Sequence, residues 1–521
     1  MSFGAKAGPP LARGPHIWET GARAARRFAA VAGLAAIAVF LWTAARRLDY
    51  PYALEWLEGN SLVEVWRLRA GLPLYSAPTV DYVPDGYPPL YFVISAGPAA
   101  LLGVSYLPLR LVSSLASVGC FVALARLVQR ETGDLAAGVA AAGLYAATYF
   151  AAGAWFDLAR VDSLFLAFSL AGLYGARWMR RTRGAVVSGA LLAAAFLTKQ
   201  SALAEVVAVT AVLLCGPARR LAVIMAGTFA GVVALVTLVW GTASRGWYVF
   251  YVFQLLGQHS WERGAWAGFW IWYLFPVMGV ALGAALLAAG RVTPVVGAGC
   301  LALMAEGYAG LLHAGGAVNN MLPAFAAVAL LAGVAMGGPR SEWRRATAGA
   351  LVLLQIAFLA ATTFAPVRMV PTAADRRVGD ALVAWVRGFG GRVAVFSDPG
   401  LGVAAGQPPV AHRGAVYDIL RGTSAAGKAS LSRSIAWAIG ERRFAAIVVE
   451  QPEDLKGFPA GLARTYRRCP GTLLAGVPRQ VFRPVTGPRV RPAELWLPVG
   501  GASCSAAFHR LAVELTRRAG A

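Results

Sequence analysis

Three glutamates, Glu55, Glu58 and Glu64, fall within ten positions of one another in the stretch YALEWLEGNSLVEVW, which begins at Tyr52. Carboxylates gathered this closely can do two kinds of chemistry. When both of a pair ionise they repel, which raises one pKa and makes that group a better general base. Alternatively the pair shares a divalent cation. If residues 52–66 are helical, Glu55 and Glu58 lie on one face, and the residues alone leave both chemistries open. Glu64 lies two helical turns beyond Glu55, close to Arg67, and reads as a structural residue of the helix surface.

Further polar groups recur downstream: Asp81 and Asp85, then Asp157, Arg160 and Asp162, then Lys199 and Gln200, then His259 and Glu262, then His313, Asn319 and Asn320. What separates them is apolar. The 521 residues are 58% hydrophobic and only 14% charged, against roughly 45–50% apolar in soluble domains, so lipid is the solvent for most of the chain. Apolar runs lie near 28–45, 88–103, 107–127, 135–153, 162–179, 184–198, 202–216, 221–242, 267–289, 294–312, 318–336 and 346–364. The connections between several of them are too short to hold a domain, so the runs form one bundle.

The net charge of +23 is not a nucleic-acid footprint, because the basic residues sit in short clusters between apolar runs. Lys6, Arg13, Arg23, Arg26 and Arg27 precede the first run, which reads as an uncleaved span with the N-terminus inside. Arg126 with Arg130, the group Arg177, Arg180, Arg181 and Arg183, Arg219 with Arg220, Arg291, and Arg340 with Arg344 and Arg345 then mark every second connection. That alternation is the positive-inside pattern. It holds only if the run at 88–103 does not cross, and this run is short, opens on Pro88 and Pro89, and contains Gly97 and Pro98. The expectation is an α-helical polytopic membrane protein with eleven crossings and one non-crossing helix at the outer face. Every polar group named above then falls outside, and a shared outward cavity accounts for ionisable groups at the membrane boundary.

Residues 366–521 are densely charged, and two valine-rich runs, RVAVFSD from Arg392 and FAAIVVE from Phe444, read as buried strands. Amphipathic patterns from Val378 and Ala506 flank them, so a transmembrane domain over 1–365 is expected to carry a small extracytoplasmic α/β domain over 366–521. Cys120, Cys215 and Cys300 lie in apolar runs, whereas Cys469 and Cys504 share the polar tail, where a disulfide is open to them outside the cell. No CxxC or histidine spacing suggests zinc.

The order of LEWLEGNSLVEVWRLRAGLPLY, YPPLYFVIS, FDLARVDSLFLAF, FLTKQSAL and GGAVNNMLPAFA resembles the membrane-embedded GT-C glycosyltransferases that use lipid-linked sugars. That group includes the protein O-mannosyltransferases and the aminoarabinose transferase of lipid A. The resemblance covers roughly residues 28–365 and implies transfer of a sugar from a polyprenyl phosphate to an acceptor hydroxyl outside the membrane. No cofactor is required, and a divalent cation shared by Glu55 and Glu58 stays open as the alternative. The family's first outer loop carries an acidic pair before a glycine; here the matching positions are Leu57, Glu58 and Gly59, and Glu55 stands one helical turn back in place of the first acid. By resemblance Glu58, or else Glu55, is the base, Asp162 a second acid that orients the acceptor or holds its loop, and Lys199, with Arg160 behind it, the cation facing the leaving phosphate. Tyr87, Pro88, Pro89 and Tyr91 shape the lipid entry groove, and Asp157, Gln200, His259, His313, Asn319 and Asn320 complete the substrate-binding set. The implied partners are the donor, a lipid, glycan or protein acceptor, and the bilayer, here the bacterial inner membrane. A ligase or polymerase of lipid-linked glycans shares this address; a flippase-type transporter would favour mid-membrane charges and inverted repeats.

Overall fold

The computed structural model describes residues 16–338 and 341–519. Lys6, Arg13 and Arg340 of the basic clusters lie outside the described residues. Within them, seven helices are long and apolar enough to cross a membrane, and the chain is a multi-pass membrane protein. In chain order the principal helices are α1 (His16–Arg47), α2 (Glu58–Arg69), α3 (Leu90–Leu102), α4 (Tyr106–Thr132), α5 (Leu135–Ala147), α6 (Asp162–Trp178), α7 (Thr182–Thr198), α8 (Leu203–Leu214) and α9 (Arg219–Ala243). They continue with α10 (Ala265–Leu286), α11 (Pro294–Leu312), α12 (Leu322–Met336) and α13 (Glu342–Thr363). Helix α3 starts directly after Pro88 and Pro89 and has 13 residues, so it is about 20 Å long against a hydrocarbon core of about 30 Å.

Small residues let the helices approach closely, as packing in lipid requires. Gly33 of α1 faces Gly143 of α5, and a Cβ on Gly143 would stand 2.0 Å from the Gly33 Cα. At the arginine-marked end of the bundle, acids that break the expected one-sided pattern are absorbed by pairing: Glu131 with Arg177 at 2.5 Å and Asp134 with Arg26 at 2.9 Å.

Beyond α13 lie α14 (Ala373–Arg387), α15 (Arg413–Arg421), α16 (Ala425–Gly440) and α17 (Cys504–Ala519) around a four-stranded sheet. Its strands are β1 (Val393–Val395), β2 (Ala446–Val449), β3 (Tyr466–Arg468) and β4 (Glu494–Pro498), in the order β1-β2-β4-β3. The β1 and β2 strands are the two valine-rich runs, paired in parallel with Val395 opposite Val448, while β4 runs antiparallel to β2 and β3. Thr372 and Asp375 form a capping box at the start of α14, and Trp385 donates from Nε1 to the Ala507 carbonyl at 2.9 Å, clamping α14 to α17.

The Cys469–Cys504 disulfide forms, joining the end of β3 to the start of α17 across 35 residues. In the chain-entropy picture a loop of that length contributes about 4 kcal/mol. Reduction of the purified protein is expected to lower the thermal midpoint of the C-terminal unit; an unchanged midpoint by scanning fluorimetry with and without reductant would contradict this.

The C-terminal unit is seated on the loop that follows α1. His412 Nε2 lies 2.9 Å from the Trp56 carbonyl, and the backbone N–H groups of Val485 and Ala411 donate to the carbonyls of Leu54 and Val80 at 2.9 and 3.0 Å. Asp81 pairs with Arg392 and Arg443. The carboxylate-rich stretch is therefore sandwiched between the membrane bundle and the C-terminal unit.

Candidate active site

The stretch 52–66 is not one helix, because α2 begins only at Glu58. Glu55 lies in the preceding turn, so the two carboxylates do not share a helix face. Glu58 is fully buried, and both of its oxygens are saturated. Arg110 of α4 donates to them from Nε at 3.0 Å and Nη2 at 2.7 Å, and the backbone N–H groups of Ala159 and Leu54 each donate at 2.7 Å. Burial opposes ionisation, but the Arg110 guanidinium and these donors hold the carboxyl below the usual glutamate range. Arg110 also donates to the carbonyls of Tyr50 at 2.5 Å and Tyr52 at 2.6 Å. This pair ties α2, α4, the 50–54 turn and the loop before α6 together, and it leaves Glu58 no free lone pair for a cation shared with Glu55.

Glu55 accepts the Leu57 N–H at Oε2, 2.9 Å, while Oε1 is buried without a hydrogen-bond partner. It abuts Gly487 of the C-terminal unit. Burial, only partly opposed by Arg160, pushes its carboxyl up to about 8, which favours the neutral form. Glu64 is buried rather than on the helix surface, accepting from the Tyr82 hydroxyl and, at 2.7 Å, from the Asp85 N–H.

Beside this framework lies a cavity of about 580 Å³, lined by neither Glu55 nor Glu58. Its first-loop acid is Asp85, which accepts from Asn60 Nδ2 and turns Oδ2, without a hydrogen-bond partner, towards Arg160 Nη1 at 3.9 Å. Burial raises the Asp85 carboxyl despite the opposing Arg160 charge. The Arg160 guanidinium stacks 5.5 Å from the Tyr87 ring centroid, and its Nε has no partner. Lys199, held at the end of α7, bonds Asp162 at 2.8 Å and Asn320 at 3.0 Å, and Asn319 reaches the same Asp162 oxygen at 3.0 Å. Thus Asp162, Lys199, Asn319 and Asn320, far apart in sequence, converge. Gln200 lines the same cavity and donates to the Gly86 carbonyl at 2.8 Å, fixing the backbone next to Asp85.

Other candidates take different places. Asp157 does not pair with Arg160; it binds Arg47 at 2.5 Å and the Tyr149 hydroxyl at 2.8 Å, both buried. Tyr91 is buried against α4, its hydroxyl 3.0 Å from both the Leu109 carbonyl and Ser113 Oγ, and does not reach the cavity. Pro88 and Pro89 set the start of α3. His313 lines the cavity with its ring 5.0 Å from that of His259, and His259 Nε2 lies 3.0 Å from the Asp418 carbonyl, so the histidines connect the α11 end to α15. Among the described residues no three His, Cys, Asp or Glu side chains are grouped to hold a metal ion.

The C-terminal unit supplies the far wall. Arg413 and Arg421 of α15 flank Tyr417, at 5.1 and 5.4 Å from its ring centroid. Arg413 is almost fully buried and its Nη1 has no partner. Sequence patterning did not single out Arg110, Arg413, Tyr417 or Arg421. For Asp85 a signal existed: it is followed by glycine, as the acid of the resembled family is, and stands three positions before the Pro-Pro pair.

Residues 86–242 match the family model of dolichyl-phosphate-mannose-protein mannosyltransferases. The chain is similar in structure to ArnT from Cupriavidus metallidurans bound to undecaprenyl phosphate, with a TM-score of 0.57 at 14% identity, covering 89% of this chain and 97% of that one. The chain has the fold of that ArnT. The apo form of the same ArnT gives a TM-score of 0.57 at 13% identity over the same shares. The oligosaccharyltransferase of Archaeoglobus fulgidus gives 0.48 at 12% identity, covering 80% of this chain and 69% of that one. No curated protein sequence matches the chain. The segment matched by the family model contributes Gly86, Tyr87, Arg160, Lys199 and Gln200 to the cavity, and Asp85 directly precedes it.

Proposed function

We propose that the chain transfers a sugar from a polyprenyl-phosphate donor to an acceptor hydroxyl on the extracytoplasmic face, and that the cavity at Asp85, Arg160 and Lys199 is where it does so. The observation that carries this reading is Arg160, a buried guanidinium that lines the cavity with an unpartnered Nε, next to an acid at 3.9 Å. In the proposed step the acceptor oxygen attacks the anomeric carbon and its proton passes to Asp85 as the C–O bond to phosphate breaks. The bonding pair leaves with the phosphate, whose growing charge is met by Arg160 and Lys199. Asp162 holds Lys199 in place, and Glu58 holds the loops rather than taking the proton. The bound state of the ArnT structure, which carries undecaprenyl phosphate, supports this donor class.

The positive-inside pattern supports a cytoplasmic N-terminus, eleven crossings with α3 not crossing, and the unit over 366–521 outside, above the 1–365 catalytic part. On this reading the membrane is the bacterial inner membrane and the acceptor a lipid, glycan or protein.

The test is incubation of the purified protein with polyprenyl-phosphate sugars one at a time, scoring release of the lipid phosphate. Arg160→Ala is expected to weaken polyprenyl-phosphate binding by about tenfold or more, the loss of a charge-assisted contact being worth about 1.5–3 kcal/mol. Release from no donor, or unchanged lipid-phosphate binding in Arg160→Ala, would contradict the reading.

A further inference from the structure

A second set of cavities shares no lining residue with the first. Helices α1, α5 and α13 enclose an apolar groove of about 270 Å³, whose walls include Ala32, Ala36, Val39, Ile356, Ala360 and Phe364. Small side chains on all three helices create the trough. Along α13 the groove runs from Leu353 to Phe364, which is about 16 Å at the helical rise. That is half the roughly 30 Å hydrocarbon thickness, the depth of one leaflet. It ends where α13 ends, at the surface that carries the C-terminal unit, with Phe150 and Phe364 meeting edge to face at 5.7 Å.

A polar cup of about 530 Å³ lies beyond this mouth, lined by four arginines, Arg46, Arg376, Arg377 and Arg518, against two acids, Asp49 and Asp380. Arg46 sits seven residues after Val39, on the same face of α1 that walls the groove. Arg376 is 3.1 Å from Asp49, and Arg518 is 3.9 Å from Asp380. Arg46 and Arg377 are exposed and, among the described residues, form no ion pair.

We propose that groove and cup form one binding site for an anionic phospholipid of the leaflet on this side, with an acyl chain along α1, α5 and α13 and its phosphate between Arg46 and Arg377. The groove depth suits an acyl chain, which ends within its own leaflet, better than a much longer polyprenyl chain. The surplus of arginine over acid calls for an anion at the place where the headgroup emerges. This site stands apart from the sugar-transfer reading, since no residue is common to both cavities.

The test uses the full chain, delipidated in detergent, with phosphatidylglycerol, phosphatidylcholine or undecaprenyl phosphate added and adducts read by native mass spectrometry. Phosphatidylglycerol is expected to bind about tenfold more tightly than phosphatidylcholine. Arg46→Gln with Arg377→Gln, both at exposed positions that leave the packing intact, should erase that preference without lowering phosphatidylcholine retention. Ala36→Leu should reduce retention of both lipids by filling the groove. Equal retention of the two phospholipids, a preference that survives the double arginine variant, or displacement of phosphatidylglycerol by an equal concentration of undecaprenyl phosphate would each overturn the proposal.

Discussion

Asp85→Asn is expected to slow sugar transfer by roughly 10²–10⁴-fold, the range over which a positioned general base acts, while polyprenyl-phosphate binding stays within about twofold of wild type. The substitution is close to isosteric, and an asparagine carbonyl can still accept the Asn60 amide that now bonds the carboxylate. What it removes is a proton acceptor. Asp85 is the carboxylate that the segment between α2 and α3 presents to the cavity; the remaining acids there, Asp418 and Glu453, come from the C-terminal unit, and Asp418 is engaged by Arg421. The pH profile adds an independent readout. A base works when ionised, and burial raises the Asp85 carboxyl against the opposing pull of Arg160. Transfer should therefore rise with pH through a value above the usual aspartate pKa of about 3.9, and that acid limb should vanish in Asp85→Asn. A variant with wild-type turnover, or with its acid limb intact, removes Asp85 from the mechanism.

The bundle and the site differ in how much of them the sequence reveals, for reasons visible in particular residues. Apolar runs and alternating arginines report a residue's preference for lipid or water, which is local, so the apolar helices and the two valine-rich strands β1 and β2 were legible. Each of Asp162, Lys199, Asn319 and Asn320 is a costly polar group at the end of an apolar run; the four meet through direct hydrogen bonds, and of them only Lys199 and Asn320 line the cavity. Pairing was not legible. Arg110 lies inside an apolar run and Asp157 only three residues before Arg160, yet each finds its partner across the fold, with Glu58 and Arg47 respectively. A charge's partner is set by which helices meet, and spacing along the chain does not encode that. The far wall was hidden for the same reason: Arg413 and Arg421 are spaced like any basic helix surface, and they become cavity residues only because the C-terminal unit folds back onto the first loop.

Glu58→Gln separates the two candidate acids. As a base, Glu58 would lose turnover and keep its fold; as the anchor seen here, it should lose stability first. A glutamine offers one acceptor oxygen and points an NH₂ group at a site where Arg110 and the N–H groups of Leu54 and Ala159 all donate. Breaking a buried ion pair on one side leaves an uncompensated charge at a cost of about 3–5 kcal/mol, so a marked drop in the thermal midpoint is expected. Removing both charges, in Glu58→Gln with Arg110→Met, should recover part of that loss, because the stranded guanidinium is gone. The pH dependence has a definite sign. The folded carboxyl lies below its unfolded value of about 4.3, held there by Arg110 against burial. Its stabilising contribution is thus complete above about pH 4.3 and fades as the pH falls through the lower folded value. Loss of transfer in a Glu58→Gln protein that melts like wild type would move the base from Asp85 to Glu58. A lowered midpoint, partly rescued by the second substitution, leaves Glu58 as the residue that holds the loops bearing Asp85 and Arg160 in register.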